Sequence, residues 1–136
     1  MKRLLAVTLC GLGLWLTTPA FGHHSMAGFD RSQNLMLEGV VKNFSWQNPH
    51  SWIEIDVPGK DGKVVTWNVE MTAPAYLVRA GWKKTSVKAG DKVTITANPL
   101  KTGEPGALFV SITLPNGEKL SQQAAPPPGA AKGATK

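Results

Sequence analysis

Hydrophobic and polar residues alternate with a period of two in five segments of the chain. These segments are residues 35–42, 53–57, 65–70, 93–97 and 108–114. Such alternation predicts half-buried β-strands, because successive side chains of a strand point to opposite faces of the sheet. Sequences rich in Asn, Asp, Pro and Gly separate the segments and predict turns. The central part of the chain is therefore predicted to be all-β.

One segment between the third and fourth strands departs from this alternation. A short helix is predicted to begin at Pro74 and to end before Gly81, which can adopt the left-handed conformation after a helix. Tyr76, Leu77 and Ala80 are expected to face the core. Three strands, one helix and two strands is the order of an OB-fold, a small five-stranded, partly open barrel. The alternative, a small β-sandwich, usually has about seven strands.

The strand pattern also assigns a face to several individual residues. Trp67 falls on the core side, and Trp82 is expected to cover the end of the helix. Gly39 is expected to lie where a curved barrel strand bends or approaches another backbone. In the last strand, Val110 is placed on the same face as Leu108, Ile112 and Leu114, which alternate with Phe109, Ser111 and Thr113. Three carboxylates fall on the solvent-facing register and are interpreted as surface residues: Glu54, Asp56 and Glu70.

The first 22 residues have the three parts of a secretory signal peptide. A basic start precedes an apolar run at residues 4–16, which is too short to span a bilayer core of ~30 Å as a helix. Ala20 and Gly22 supply small residues for cleavage before His23. An uncleaved anchor helix is the alternative. No later segment is long and apolar enough to cross a membrane, so we expect a periplasmic protein with no transmembrane segment after cleavage.

The sequence predicts a leader at residues 1–22, an OB-like barrel domain at 23–120 and a disordered Pro/Ala/Gly tail at 121–136. The single cysteine, Cys10, lies in the leader, so the mature protein is expected to have no disulfide and no thiolate metal site. The chain has a formal net charge of +6, but four of its 15 basic residues lie in the leader and the tail. A nucleic-acid partner is therefore not expected, because such partners require basic charge on the folded domain.

The three histidines are the candidate metal ligands. If cleavage precedes His23, this residue offers both an α-amine and an imidazole, and His24 adds a second imidazole. His50 lies in the turn between the first two strands, which borders the usual ligand face of an OB-fold. A nitrogen-rich set without thiolate suits Cu(II), so copper is the expected metal. The arrangement looks like the histidine brace of copper proteins. The alternative is that the histidines are ordinary surface residues.

A second hypothesis involves no metal. Trp46 and Trp52 flank the turn that contains Asn48, and together they could provide a stacking surface for a small ligand or an envelope protein. The alternative role for these tryptophans is to pack the mouth of the barrel. No nucleophile-elbow motif is present, so an enzyme is not expected. A copper oxidase acting on polysaccharide would need a broad flat face, and a domain of this size offers little of one.

The chain resembles a family of small secreted bacterial proteins known as a domain of unknown function. The resemblance covers roughly residues 23–120. It is carried by His23-His24-Ser25, Phe29-Asp30, Leu37-Glu38-Gly39-Val40-Val41, Trp46-Gln47-Asn48-Pro49-His50, Trp67-Asn68-Val69-Glu70, Pro74, Arg79-Ala80-Gly81-Trp82 and Gly90-Asp91-Lys92-Val93. It implies a periplasmic or envelope location and a compact β-barrel-like domain. It implies no activity.

Overall fold

The computed structural model describes residues 26–123. A 3₁₀ turn at Met26–Gly28 leads into six strands and one helix. Their bounds are β1 Leu35–Ser45, β2 Trp52–Pro58, β3 Val64–Glu70, α1 Pro74–Arg79, β4 Lys92–Pro99, β5 Gly106–Thr113 and β6 Lys119–Ser121. The five predicted strands and the helix are confirmed. The three-residue strand β6 is an addition, which an alternation pattern cannot detect in so short a segment.

The sheet closes on itself to form a barrel. Its strand order is β3-β2-β1-β4-β5-β6, and β3 also pairs in parallel with β5. This parallel pairing is short and involves residues 68–70 of β3 and 106–108 of β5. The other pairings of the barrel are antiparallel. Five closed strands with a helix between β3 and β4 are the architecture of an OB-fold, as predicted.

Two β-bulges shift the alternation of inward and outward residues. Val41 pairs with Ile55 and Asn43 with Glu54, so Lys42 is the extra residue in β1. Beyond this bulge Phe44 packs against the core. A second irregularity, where β5 pairs with β4, leaves Val110 without a partner. These shifts arise because a bulge inserts one residue and reverses the faces of those that follow.

The expected face of Val110 is consequently wrong. Its side chain is exposed, whereas Phe109 is fully buried. Ile112 and Leu114, beyond the bulge, are buried as the alternation predicts. A strict period of two places Val110 on the same face as these two residues, because it does not reveal that Val110 is the extra residue of a bulge.

The interior of the barrel is filled by aliphatic and aromatic side chains from all five barrel strands and the helix. Trp82 and Phe109 are the largest of these, and their rings meet edge to face at 5.5 Å. The indole Nε1–H of Trp82 donates a hydrogen bond to the backbone carbonyl of Ser121 (2.7 Å). Buried indole N–H groups usually need such a partner. Trp82 thus does more than cover the helix end, because it connects the core to β6.

The fold continues beyond the expected boundary at residue 120. Ser121 belongs to β6. The Gln122 side chain donates to the Phe109 carbonyl (2.8 Å) and accepts a hydrogen bond from the Thr72 backbone N–H (3.2 Å). Residues 124–136 of the predicted tail, and the whole predicted leader, lie outside the described residues.

Helix α1 has the expected ends but a narrower buried face. Pro74 occupies its first turn, and Gly81 beyond it has a φ of +91°, which favours glycine. Leu77 is buried and Ala80 is partly buried against the core. Tyr76 is exposed, contrary to expectation. A helix of six residues presents only a narrow face to the barrel, and Leu77 is its one buried residue.

Gly39 has the structural role that its position in β1 predicts. A Cβ at this site would collide with the backbone carbonyl oxygen of Asp56 on β2. Trp67 on β3 is only partly buried, but it packs against the core cluster. Of the helices described between residues 26 and 123, none is long and apolar enough to span a bilayer.

Candidate functional site

The loop before β2 and the segment after β3 are held together at one end of the barrel. The Ser51 N–H donates to the Thr72 carbonyl (3.2 Å), and the Met71 N–H donates to the Ser51 carbonyl (2.9 Å). His50 directly precedes Ser51, and Glu70 directly precedes Met71. The backbone pairing therefore brings the side chains of His50 and Glu70 together, and the Nδ1 atom of His50 contacts Oε1 of Glu70.

Glu70 is buried, which corrects its assignment to the solvent-facing surface. The residue is only 4% exposed. Its position is opposite Trp52 on β2 and Leu108 on β5, because it lies in the short stretch where β3 pairs with both neighbours. The alternation along β3 carries no information about this closure, which involves residues distant in sequence. Asp56 and Glu54 are less buried, and Asp56 accepts a hydrogen bond from the Thr66 hydroxyl (2.5 Å).

The contact with Glu70 orients the imidazole ring of His50. Its Nδ1 atom faces the Glu70 carboxylate, which turns Nε2 away from that carboxylate. Metal-binding histidines usually donate their other ring N–H to a carboxylate or a similar acceptor. The His50 side chain is 42% exposed, so Nε2 can be reached from solvent.

The cavity beside His50 has a volume of about 370 Å³. Glu70 and Met71 form one part of its wall, and Gln122 forms another. Met26, the first described residue, also lines it. His23 and His24 lie outside the described residues. Within residues 26–123, no group of three or more His, Cys, Asp or Glu side chains is placed to hold a metal ion.

The three residues of the predicted ligand-binding turn have different surroundings. Trp46 is partly buried and meets Phe44 edge to face, with ring centroids 5.6 Å apart. Asn48 is exposed and precedes Pro49 through a cis peptide bond. Trp52 instead lines a separate cavity of about 220 Å³ together with Glu70. Among the predicted site residues that lie within 26–123, Trp52 and His50 are the two that share a neighbouring side chain, that of Glu70.

Sequence reasoning missed two residues of this region, Glu70 and Phe29. Glu70 is the last residue of its strand, and the OB-fold brings the end of the third strand to the fifth. This topological rule was a usable signal for Glu70. Phe29 is buried before β1, where it pairs with Leu100, and it lines the same cavity as Trp52. No periodic pattern surrounds Phe29 in the sequence, so no comparable signal was present.

One carboxyl near this end of the barrel has a shifted pKa. Asp30 precedes a turn, and its carboxylate accepts hydrogen bonds from the Ser32 hydroxyl (2.6 Å), the Ser32 N–H (3.1 Å) and the Gln33 amide (2.7 Å). The Ser32 hydroxyl is the main reason that the pKa of Asp30 lies below its ordinary value of 3.8. The Asp30 carboxylate therefore helps to organise the turn that leads into β1.

Comparisons with known proteins give a family and a distant structural neighbour. A family model described as a family of unknown function, DUF6152, matches residues 13–109. A search of curated proteins gave no match. Among solved structures, the chain is similar to the mitochondrial single-stranded DNA binding protein Rim1 of S. cerevisiae. That similarity has 13% identity and a TM-score of 0.44, and it covers 60% of this chain and 93% of the other. A likeness of this size carries no conclusion about function.

Proposed function

We propose that this chain, which belongs to the family of unknown function DUF6152, is a periplasmic metal-binding module that favours copper. The family itself indicates no activity, so the proposal rests on the chain's own residues. The observation that carries this proposal is the His50–Glu70 pair, in which a buried carboxylate orients a solvent-accessible imidazole. A surface histidine needs no such partner, whereas a metal-binding histidine commonly has one.

The remaining ligands are proposed to come from the mature N-terminus. Met26 lines the cavity beside His50, and three residues of extended chain span at most about 11 Å. On this proposal the α-amine and imidazole of His23 bind copper together with His50, and His24 is the alternative second imidazole. Amine and imidazole nitrogens without thiolate suit Cu(II). Export is part of this proposal, because removal of the leader creates the α-amine.

The first experiment establishes the mature N-terminus. Protein purified from the envelope fraction is expected to have an intact mass that corresponds to a chain starting at His23. This result would support both export and the presence of the His23 α-amine. A chain that starts elsewhere would remove the α-amine from the ligand set.

The second experiment measures Cu(II) affinity by competition titration and electron paramagnetic resonance. One Cu(II) ion is expected to bind, with an affinity that rises from about pH 5 to pH 8 because imidazole and amine ligands must lose protons. Adding one alanine before His23 should weaken binding strongly and change the spectrum. Glu70→Gln should weaken binding by roughly 10- to 100-fold, since the supporting partner of His50 loses its charge.

The matched control is Gln47→Ala, which alters an exposed residue of the same turn. This variant should bind copper like the wild type, while His50→Ala should not. If the extended protein and the wild type give the same spectrum and affinity, the N-terminal brace is wrong. If His50→Ala also leaves affinity unchanged, the histidines are ordinary surface residues.

A second candidate function is the binding of a small ligand or an envelope protein without metal. The observation that favours it is the cavity lined by Trp52, Phe29 and Glu70. Trp46 and Asn48 would contribute from the adjoining turn only if the partner is large enough to extend beyond this cavity. A titration with organic ligands in the presence of a metal chelator separates this function from metal binding.

A further inference from the structure

The cavity beside Trp52 combines aromatic walls with negative charge. Phe29, Trp52 and Leu100 supply apolar surface, and the carboxylates of Glu70 and Glu104 supply charge. Among residues 26–123, no lysine, arginine or histidine lines it. An anionic ligand would meet two carboxylates without a compensating cation, so the lining selects against anions.

Glu70 lines both this cavity and the cavity beside His50. Its Oε1 atom pairs with His50, and among residues 26–123 this is the one ion-pair or hydrogen-bond contact of its carboxylate. The Glu70 side chain as a whole is only 6% exposed, so the carboxylate is largely removed from bulk water. A largely desolvated carboxylate with a single such contact gains most from a charged hydrogen-bond donor.

The size of the cavity limits the ligand. Pockets for drug-sized molecules usually have volumes of about 300–1,000 Å³, and this cavity has about 220 Å³. A polysaccharide segment or a folded peptide is therefore too large to enter it. An ammonium group attached to a single ring or a short aliphatic body suits the volume. The indole of Trp52 would also attract the cation through its π-face.

We infer that this cavity binds a small organic ammonium ion, with Glu70 as the acceptor of its N–H groups and Trp52 and Phe29 as the walls around its apolar part. The inference names a ligand class for the second candidate function and does not depend on copper. Glu70 would then serve two sites, because Oε1 orients His50 and Oε2 faces the amine.

The test is a calorimetric titration of the mature protein in the presence of a chelator that removes metal ions. The probes are phenethylammonium, 2-phenylethanol and 3-phenylpropionate, which share an aromatic ring and differ in charge. Phenethylammonium should bind, the alcohol at least tenfold more weakly, and the carboxylate not at all. In a ¹⁵N correlation spectrum, the indole resonance of Trp52 should shift with the ammonium probe.

Variants assign the interaction to named groups. Glu70→Gln should weaken phenethylammonium binding at least tenfold, and Glu104→Gln less, because Glu104 is exposed and also contacts the Thr102 hydroxyl. Trp52→Leu should weaken it while retaining the carboxylate. Glu54→Gln, on β2 but outside the cavity lining, is the control and should have no effect.

The ¹⁵N spectrum of each variant shows whether it remains folded, so a loss of binding can be attributed to the site. Equal affinity for the alcohol and the ammonium would overturn the ligand class while leaving an apolar binding site. Unchanged affinity in Glu70→Gln, or no ammonium binding by the wild type, would overturn the inference altogether. Because metal is absent from these titrations, none of these outcomes affects the copper proposal.

Discussion

The two ends of strand β3 show opposite relations between polarity and burial. At its start, Val64 and Val65 are exposed. At its end, Glu70 is almost completely buried. The difference arises because only residues 68–70 pair with both β2 and β5, so only this end lies where the barrel closes. Burial here is decided by topology, and the carboxylate at the closed end needs a partner, which His50 provides.

The largest effect should come from placing a charge at the closed end. Val69→Asp is expected to unfold the domain, because Val69 is 0% exposed and an unpaired core charge costs several kcal/mol against a total stability of roughly 5–15 kcal/mol. Val65→Asp, at a position that is 41% exposed, should change stability by only about 0.5 kcal/mol. Urea denaturation followed by circular dichroism measures both. Similar midpoints for the two variants would contradict the difference between the ends.

An intermediate effect should follow from separating His50 and Glu70. His50→Ala leaves a desolvated carboxylate with no partner and should lower stability by about 1–3 kcal/mol. The double variant His50→Ala/Glu70→Leu should recover most of this loss, since no buried charge remains. Chemical denaturation at pH 7 provides the values. A double variant as unstable as His50→Ala would show that the loss comes from the loop rather than from the stranded carboxylate.

The smallest effect concerns an exposed carboxylate near the same end. Asp30 has a lowered pKa in the folded protein, so its ionised form stabilises the fold above its ordinary pKa of 3.8. This contribution disappears as pH falls through the folded pKa. Asp30→Asn should therefore be slightly less stable than the wild type at pH 7, with a smaller difference at about pH 3. Asp61→Asn, in an exposed turn, is the comparison variant. A pH-independent deficit for Asp30→Asn would argue against an ionic origin.

The regular parts of the barrel could be predicted from the chain because they follow local rules. Ile53 and Ile55 alternate with polar residues on β2, and both are buried. Pro74 and Gly81 mark the helix ends through backbone preferences alone. Where a bulge adds a residue, as at Val110, the same rule gave the wrong face. Bulges depend on cross-strand geometry and leave no period in the sequence.

The candidate site was only half predictable. His50 was found because imidazole chemistry is rare in this chain and the turn borders the usual OB-fold ligand face. Glu70 was assigned to the surface, because strand alternation does not show which end of β3 pairs with β5 to close the barrel. Its burial depends on β5, which lies about forty residues further along the chain. Predicting such a pair requires the closure rule of the OB-fold in addition to the alternation along each strand.

The convergence of both described ends on the His50 cavity has a practical consequence for protein production. Met26 and Gln123 both line that cavity. A peptide joined to either end by a short flexible linker would have a millimolar effective concentration at the site. Under the proposed copper function, an oligohistidine affinity tag there would compete with His50 for the metal, and a tag at the front would also block the proposed α-amine ligand of His23. Binding measurements therefore require tag-free protein, with its natural first residue exposed.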